Sequence, residues 1–343
     1  GRIHVNQSHF SRRRFLAKAG VFLAVANCRN LAGGAQPADR YAGLKSAEFF
    51  EGPMTVEMDV VDRKVFTEGP AVASDGKVFF TNTEAAKILV WDPARKESSL
   101  FRENSGEANG LLFDKNGHLL ACEGKAGRVT RTNLKTGEVT VLVDQFGGHP
   151  IGAPNDLTLD PQGRIYFTSR LPSTAPKDHN INSVYRIDPD GRMACLLKEP
   201  EIHMPNGVEV SADGKTLYLI ESDGRENRNR CILAFDLKSD GSVTNSRRLY
   251  DFYPGRGGDG LCVDSEGNLY VAAGLHATRK THETLDTRPG IHVISSSGVL
   301  LAFAETPADT VTNCTFGGKD RRTLYVTCAK ELLTIRTRRS GPA

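Results

Sequence analysis

Residues 154–169 read PNDLTLDPQGRIYFTS. The stretch contains a polar corner, a short apolar alternation, a turn with Asp and Gly, and a strand rich in aromatic and β-branched residues. Alternation with a period of two is typical of a β-strand, and Asp and Gly favour tight turns. Taken alone, the stretch therefore predicts one β-hairpin.

The same pattern occurs six times along the chain. Its copies begin at corner residues separated by 41, 46, 51, 53 and 54 residues, namely Glu68, Asn109, Asn155, Asn206, Asp259 and Asn313. Each step has room for four short strands and their loops, and helical periodicity is almost absent from this part of the chain. Six four-stranded antiparallel units predict an all-β fold, a six-bladed β-propeller.

A ring of blades must close, and the last repeat contains only three strand-like runs. Residues 54–61, MTVEMDVV, precede the first corner and belong to no unit. An open ring would leave two long edges without hydrogen-bond partners. We therefore expect this N-terminal strand to supply the missing edge of the last blade.

Residues 1–40 are expected to be a separate export signal and linker, and residues 41–343 the single catalytic domain. The run SRRRFLAK at 11–18, followed by the apolar AGVFLAVA, matches the twin-arginine export pattern, with small residues for cleavage at 31–36. The alternative is a basic amphipathic start on a cytoplasmic protein. The pattern predicts recognition by the twin-arginine export machinery and a periplasmic or secreted protein.

The net positive charge of the chain comes from residues 1–40. Residues 1–40 carry seven basic residues and one acidic residue, so the net charge of +3 becomes −3 without them. The sequence contains no further polybasic patch that would indicate nucleic-acid binding, and no apolar run of about 18 residues that would indicate a membrane span. We expect a small molecule as partner, and the oligomeric state is left open.

The six cysteines beyond Cys28 include no CxxC pair and no zinc-ligand spacing. Most of them lie in apolar, strand-like runs, where cysteine is usually a small buried residue. We expect no structural disulfide, although an oxidising compartment would permit one.

Equivalent corners of a propeller converge on one end of the central channel. Glu68, Asn155, Asn206 and Asp259 would therefore bring two carboxylates and two amides together. Such hard oxygen ligands suit Ca²⁺ first, then Mg²⁺ or Mn²⁺. The alternative is that these side chains cap strand starts by bonding to backbone groups.

The motifs EGP at 68–70, PND at 154–156, PNG at 205–207, DGLCVD at 259–264 and TNCTFGG at 312–318 are similar to those of a known family. From about residue 55 to the C-terminus the chain resembles the SMP-30 (regucalcin), gluconolactonase and luciferin-regenerating enzyme family. The resemblance implies a six-bladed propeller with one catalytic divalent metal on its axis. We expect this metal to be Ca²⁺, with Mg²⁺, Mn²⁺ or Zn²⁺ as alternatives.

Carried over position by position, the resemblance implies roles for individual corner residues. Glu68, Asn206 and Asp259 match the metal ligands, and Asn155 matches the asparagine that completes the metal or substrate shell. Asp259 is also the expected general base, and Asn109 is expected to line the substrate pocket.

The chemistry that follows is opening of a sugar lactone. A divalent ion would act as a Lewis acid on the lactone carbonyl, and Asp259 would take a proton from the attacking water. The sequence contains no GxSxG motif, which would indicate a serine nucleophile. The alternatives are a propeller that binds a sugar or a protein without turnover, and a hydrolase of another ester or a phosphotriester on the same scaffold.

Three further residues are expected near the pocket mouth as substrate-binding groups. Glu123 in CEG and Arg170 in FTSRLP stand where the sequence departs from the family pattern, and His149 precedes a corner asparagine. For Arg170 the alternative is a solvated loop charge, and for His149 an ordinary loop histidine, as it is for His203. The long polar segment 170–182 fits a loop over the channel entrance.

Overall fold

The computed structural model describes residues 39–171 and 182–342, which belong to one compact unit, Pro37–Ala343. Six four-stranded antiparallel sheets account for nearly all of its regular structure. The first strand of each sheet lies beside the first strand of the next, and the sixth lies beside the first. This closed ring confirms the predicted six-bladed β-propeller.

In blades 1 to 5 four consecutive strands pair in chain order, from the channel outwards. The strands of blade 1 are Thr67–Val72, Val78–Asn82, Lys87–Asp92 and Glu97–Arg102; of blade 2, Ala108–Phe113, Leu119–Glu123, Arg128–Thr132 and Val139–Val143; and of blade 3, Ala153–Leu159, Ile165–Arg170, Ser183–Ile187 and Met193–Lys198. The strands of blade 4 are Pro205–Val210, Thr216–Ser222, Arg230–Leu237 and Val243–Asp251, and those of blade 5 are Gly258–Val263, Leu269–Ala273, Gly290–Ile294 and Leu300–Glu305.

Blade 6 is built from both ends of the described chain. Its inner strands are Val311–Gly317, Thr323–Cys328 and Glu331–Thr337, and its outermost strand is Phe50–Asp59. Val56 lies opposite Leu333 and Asp59 opposite Glu331 in this antiparallel pair. The predicted closure by an N-terminal strand is confirmed, with the strand beginning at Phe50 rather than at residue 54.

Little other regular structure is present in the described ranges. A small hairpin pairs Gln145–Phe146 with His149–Pro150 between blades 2 and 3, and two short 3-10 helices span Ser46–Glu48 and Thr83–Ala85. No helix in the described part of the chain is long and apolar enough to cross a bilayer.

In blades 2, 3 and 5 the turn that joins the first two strands is fixed by an aspartate at its start. Asp160 Oδ1 accepts hydrogen bonds from the backbone N–H groups of Gln162 and Arg164, both at 2.9 Å. Asp114 in blade 2 and Asp264 in blade 5 make equivalent bonds. This side-chain capping explains why Asp recurs at this point of the repeat.

The hydrophobic core is divided into six clusters, one in each space between neighbouring blades. Between blades 1 and 2, for example, Phe79 and Ile88 pack with Leu111 and Leu119. Because every blade is held by apolar contacts on both faces, the inner strands are fixed relative to one another. The corners at their ends are therefore carried on a rigid ring.

Candidate metal and substrate site

Every inner strand has an irregularity in its pairing at or beside the corner residue. In blade 3 the ladder pairs Pro154 and then Leu157, leaving Asn155 and Asp156 out of register. The same two-residue interruption falls at the corners of blades 2, 4 and 5. A β-bulge of this kind re-aims a side chain that would otherwise alternate across the sheet. The bulges thus release the corner side chains towards the channel.

Close packing between blades holds these corners together. A Cβ added to Gly260 would lie 2.0 Å from the Asn313 side chain of the next blade, so only glycine fits there. Threonine hydroxyls add bonds between blades, since Thr168 Oγ1 donates to the backbone oxygen of Asn206 at 2.7 Å and Thr81 Oγ1 to that of Asn109 at 3.0 Å. The corner backbone is therefore positioned before any ligand binds.

The corners of blades 4 and 5 meet directly. Asn206 Nδ2 donates to Asp259 Oδ1 at 2.7 Å and to Ser222 Oγ at 3.1 Å. Arg256 Nη2 donates to the other carboxylate oxygen, Asp259 Oδ2, at 2.6 Å. Arg256 is itself fixed, because its Nη1 donates to the backbone oxygens of Gly274 and Val311. Asp259 is therefore oriented through both of its oxygens.

Glu68 of blade 1 is buried in the same region, and few hydrogen bonds compensate the burial of its carboxylate. Its Oε2 accepts a hydrogen bond from the backbone N–H of Gly69 at 3.0 Å. Burial, and then the negative charges of Asp259 and Asp156, raise the pKa of Glu68 well above its ordinary value. The three carboxylates are thus close enough to repel one another in a buried place.

Asp156 is a site residue that the repeat analysis missed. Its Oδ2 accepts a hydrogen bond from Asn313 Nδ2 at 3.2 Å, which joins blade 3 to blade 6. Burial raises its pKa to about 7, against the bonds from Leu157 and Asn313. A signal was present: the residue after the corner is glycine in blades 1, 2, 4 and 5 but aspartate in blade 3.

This group of carboxylates and amides fits a hard divalent cation. In the described ranges no three His, Cys, Asp or Glu side chains form a metal-binding cluster, so the fit depends on amides completing the donor set. Glu68 Oε1 and Asn206 Oδ1 accept no hydrogen bond from any described residue. Carboxylates that repel one another in a buried place are stabilised by a cation. Oxygen donors of this kind are those of Ca²⁺ and Mg²⁺ sites.

A cavity of about 630 Å³ opens beside this group, between blades 1 to 3. Asn109, Asn155 and Arg170 line it, together with Thr83, Glu107 and Lys125 and the backbone at residues 124 and 152–154. The side-chain amides of Asn109 and Asn155 make no hydrogen bond with another described residue, so both can bind a ligand. The wall is mostly polar, which suits a hydroxylated molecule.

Arg170 joins the cavity to the carboxylates. Its Nε donates to the backbone oxygen of Pro205 at 2.8 Å, and its Nη2 to Ser222 Oγ at 3.3 Å. Burial lowers its pKa, and the charges of Asp259 and Glu68 oppose that shift. Arg170 is therefore a partly buried wall residue, and the alternative of a solvated loop charge does not describe it.

The remaining predicted residues are not brought to this cavity. Glu123 is fully buried in blade 2, where Arg102, Arg128 Nε at 2.7 Å and Thr130 Oγ1 at 2.8 Å donate to its carboxylate. His149 is exposed on the hairpin between blades 2 and 3. These contacts place Glu123 in ion pairs with Arg102 of blade 1 and Arg128 of blade 2, away from the lining of the cavity.

Two further expectations concern other residues. His203 is held through its backbone, since its N–H donates to the buried carboxylate of Glu221 at 2.9 Å. Residues 172–181 of the expected entrance loop, and the export motif at 11–18, lie outside the described residues. No disulfide joins two described cysteines, and the Sγ atoms of Cys262 and Cys314 are 3.5 Å apart.

Comparison with known proteins gives consistent matches. The family model described as SMP-30/Gluconolactonase/LRE-like region matches residues 66–330. A gluconolactonase of Zymomonas mobilis is 28% identical over 305 residues, covering 80% of each chain. The solved gluconolactonase of Xanthomonas campestris has a TM-score of 0.71 and 26% identity, covering 85% of this chain and 91% of that one. A calcium-binding regucalcin of Agrobacterium tumefaciens shares the fold, with a TM-score of 0.66 and 19% identity over 85% of this chain and 95% of that one.

Proposed function

The chain belongs to the SMP-30/gluconolactonase/LRE-like family, and from that premise we propose that it is a lactonase that opens sugar lactones with the help of a divalent cation. One observation carries the proposal. Asp259 and Asn206 are in direct contact, at 2.7 Å, in a buried group of oxygen donors that includes Glu68 and adjoins a polar cavity. The gluconolactonases among its relatives support the same reaction.

Glu68, Asn206 and Asp259 would hold the cation, with Asn155 completing the donor set. Ca²⁺ is the first choice because all of these donors are oxygens, and a regucalcin with the same fold is described as calcium-binding. A bound divalent cation supplies Lewis-acid polarisation of a carbonyl and stabilises developing negative charge, a contribution of several kcal/mol.

The protein side chains supply orientation and proton transfer. Asp259 takes a proton as water adds to the lactone carbonyl, and returns it to the ring oxygen as the C–O ester bond breaks to give a hydroxy acid. Asn206 and Arg256 hold the two oxygens of Asp259 in place during this step. The amides of Asn109 and Asn155 bind substrate hydroxyl groups from the cavity wall.

The test is acid release from a panel of aldonolactones, measured with and without a chelator. We expect hydrolysis to stop when the chelator is added and to return when Ca²⁺ is restored. Hydrolysis that the chelator leaves untouched would contradict the metal-dependent mechanism.

An Asp259→Asn variant separates an enzyme from a propeller that only binds. Asn keeps an oxygen donor for the cation but cannot accept the proton, so turnover is expected to fall by at least about 100-fold while ligand binding persists. The proposal extends to export: the twin-arginine motif supports a periplasmic or secreted enzyme, which fractionation of expressing cells would test.

A further inference from the structure

Arg170 differs from three other buried or partly buried arginines of the described residues in how its guanidinium is satisfied. Arg256 is paired with Asp259, and Arg102 with Glu123. Arg230 donates to three backbone oxygens. Arg170 makes one good hydrogen bond, to Pro205, and one long bond to Ser222, and no described carboxylate lies within ion-pair distance of it. A guanidinium can donate five hydrogen bonds, so Arg170 has donors left over.

The unused donor atom faces open space. Arg170 Nη1 donates to no acceptor among the described residues. The atom is not enclosed by protein, and Arg170 lines the cavity. The Nε and Nη2 bonds fix the plane of the guanidinium against blade 4. A fixed planar guanidinium with a free edge is suited to bind a carboxylate.

The charge on the cavity wall points the same way. Among the lining residues, Lys125 Nζ is paired with Glu107 Oε1 at 2.8 Å, and the amides of Asn109 and Asn155 are neutral. Arg170 is therefore the one cation of the described wall with no carboxylate within ion-pair distance, and the charges of Asp259 and Glu68 act on it from farther away. A neutral sugar lactone offers its free edge only hydroxyl and ring oxygens, whereas a lactone with an anionic substituent offers a charged acceptor.

We propose that Arg170 selects lactones that carry a second carboxylate, such as those formed from aldaric acids, over neutral aldonolactones. This inference rests on the proposed lactonase function and names its substrate class. One guanidinium with a single free edge suits the single charge of a carboxylate better than the double charge of a phosphate monoester. The reactions that supply such a substrate must together oxidise both ends of a sugar chain.

A pair of lactones that differ only at the substituent tests the proposal. D-Glucono-1,4-lactone and D-glucaro-1,4-lactone have the same ring, with a hydroxymethyl group in the first and a carboxylate in the second. We expect the native protein to have the higher kcat/KM on the glucarolactone. Arg170→Gln is expected to lower that value about 30-fold, mainly through KM, and the value for the neutral lactone only about 3-fold, because a charge-assisted hydrogen bond is lost in the first case alone.

Controls separate specificity from folding. Lys125→Gln alters the other cation on the wall and is expected to change both lactones by the same small factor. Arg170→Lys keeps the charge without the planar fork and is expected to recover part of the preference. Melting temperatures of the variants report whether loss of the bond to Pro205 disturbs the blade, and calorimetric titration with D-glucarate measures the carboxylate contact without turnover.

The possible results separate the role of Arg170 from the proposed lactonase function. Equal loss on both lactones in Arg170→Gln, or no preference in the native protein, overturns the role of Arg170 while lactone hydrolysis stands. A higher kcat/KM on 6-phosphogluconolactone than on the glucarolactone, each relative to its neutral counterpart, overturns the choice of carboxylate. Failure to hydrolyse any lactone in the presence of Ca²⁺ removes both proposals.

Discussion

Glu68 and Glu123 are both buried glutamates, on the first strand of blade 1 and the second strand of blade 2, but their surroundings are opposite. Glu123 receives hydrogen bonds from Arg102, Arg128 and Thr130, so its charge is fully compensated within the protein. Glu68 receives one hydrogen bond, from the backbone of Gly69. Burial, and then the carboxylates of Asp259 and Asp156, raise the pKa of Glu68.

The difference teaches how to recognise a ligand site among buried charges. A buried carboxylate with two cationic partners is complete, and removing one member of the group leaves an uncompensated charge. A buried carboxylate surrounded by others of the same sign is costly to keep ionised, and a cation relieves that cost. Glu123 therefore contributes to the fold, and Glu68 to the proposed reaction.

The largest expected effect follows from Glu68→Gln. The variant loses a charged ligand, so we expect lactone hydrolysis at saturating substrate to fall by about 1,000-fold, equivalent to about 4 kcal/mol of transition-state stabilisation. Its metal-free stability should equal or exceed that of the native protein, because a buried repelling charge is gone. Steady-state kinetics and thermal melts with and without Ca²⁺ measure both.

The exposed Glu103→Gln serves as the control for loss of one negative charge. If Ca²⁺ raised the melting temperature of the Glu68 variant as much as that of the native protein, the assignment of Glu68 as a ligand would be wrong.

Glu123→Gln should show the reverse pattern. It leaves Arg102 and Arg128 facing a neutral amide, so we expect the free energy of unfolding to fall by about 3–5 kcal/mol. Hydrolysis per folded molecule should stay within about twofold of the native rate, because Glu123 does not reach the cavity. Chemical denaturation and active-site-normalised kinetics test the two halves of this expectation. A large loss of turnover at unchanged stability would restore Glu123 as a substrate-binding residue.

The repeat in the sequence was sufficient to predict the fold. Six corners at regular steps specify six blades, and the incomplete last repeat required a strand from elsewhere, which Phe50–Asp59 supplies. Each corner also coincides with the pairing irregularity of its inner strand. The positions of the corner residues were thus accessible from local sequence patterns alone.

The partners of those residues were not accessible in the same way. Arg102 belongs to the outermost strand of blade 1, and its contact with Glu123 in blade 2 depends on how neighbouring blades pack. Arg256 lies in a loop whose side-chain directions follow no period, whereas Arg170 could be named from its departure from the family pattern. Among the residues that the sequence analysis missed, Asp156 gave a readable signal, as the one aspartate where four blades have glycine.

Glu221 is a third buried glutamate, and its hydrogen-bond donors are neutral backbone groups. Its substitution is expected to have the smallest effect of the three. Its carboxylate accepts the N–H groups of His203 and Met204, and burial raises its pKa from 4.5 to about 7. A raised carboxyl pKa means that the folded protein binds more protons than the unfolded chain between these two values. The contribution to stability is therefore fully present below about pH 4.5 and is lost as the pH rises towards 7.

Glu221→Gln cannot titrate, so its stability should lack this component. We expect the free energy of unfolding of the native protein, relative to that of the variant, to fall by about 2 kcal/mol between pH 5 and pH 8. Urea denaturation at a series of pH values measures the difference, and taking it between the two proteins cancels the titration of Asp156 and Glu209, which both retain. The exposed Glu201→Gln is the matched control, and its curve should run parallel to the native one. If the curve for Glu221→Gln were also parallel to the native one, the two backbone N–H groups would stabilise the charged carboxylate enough to offset its burial. Glu221 would then resemble Glu123, whose charge is compensated, rather than being intermediate between Glu123 and Glu68.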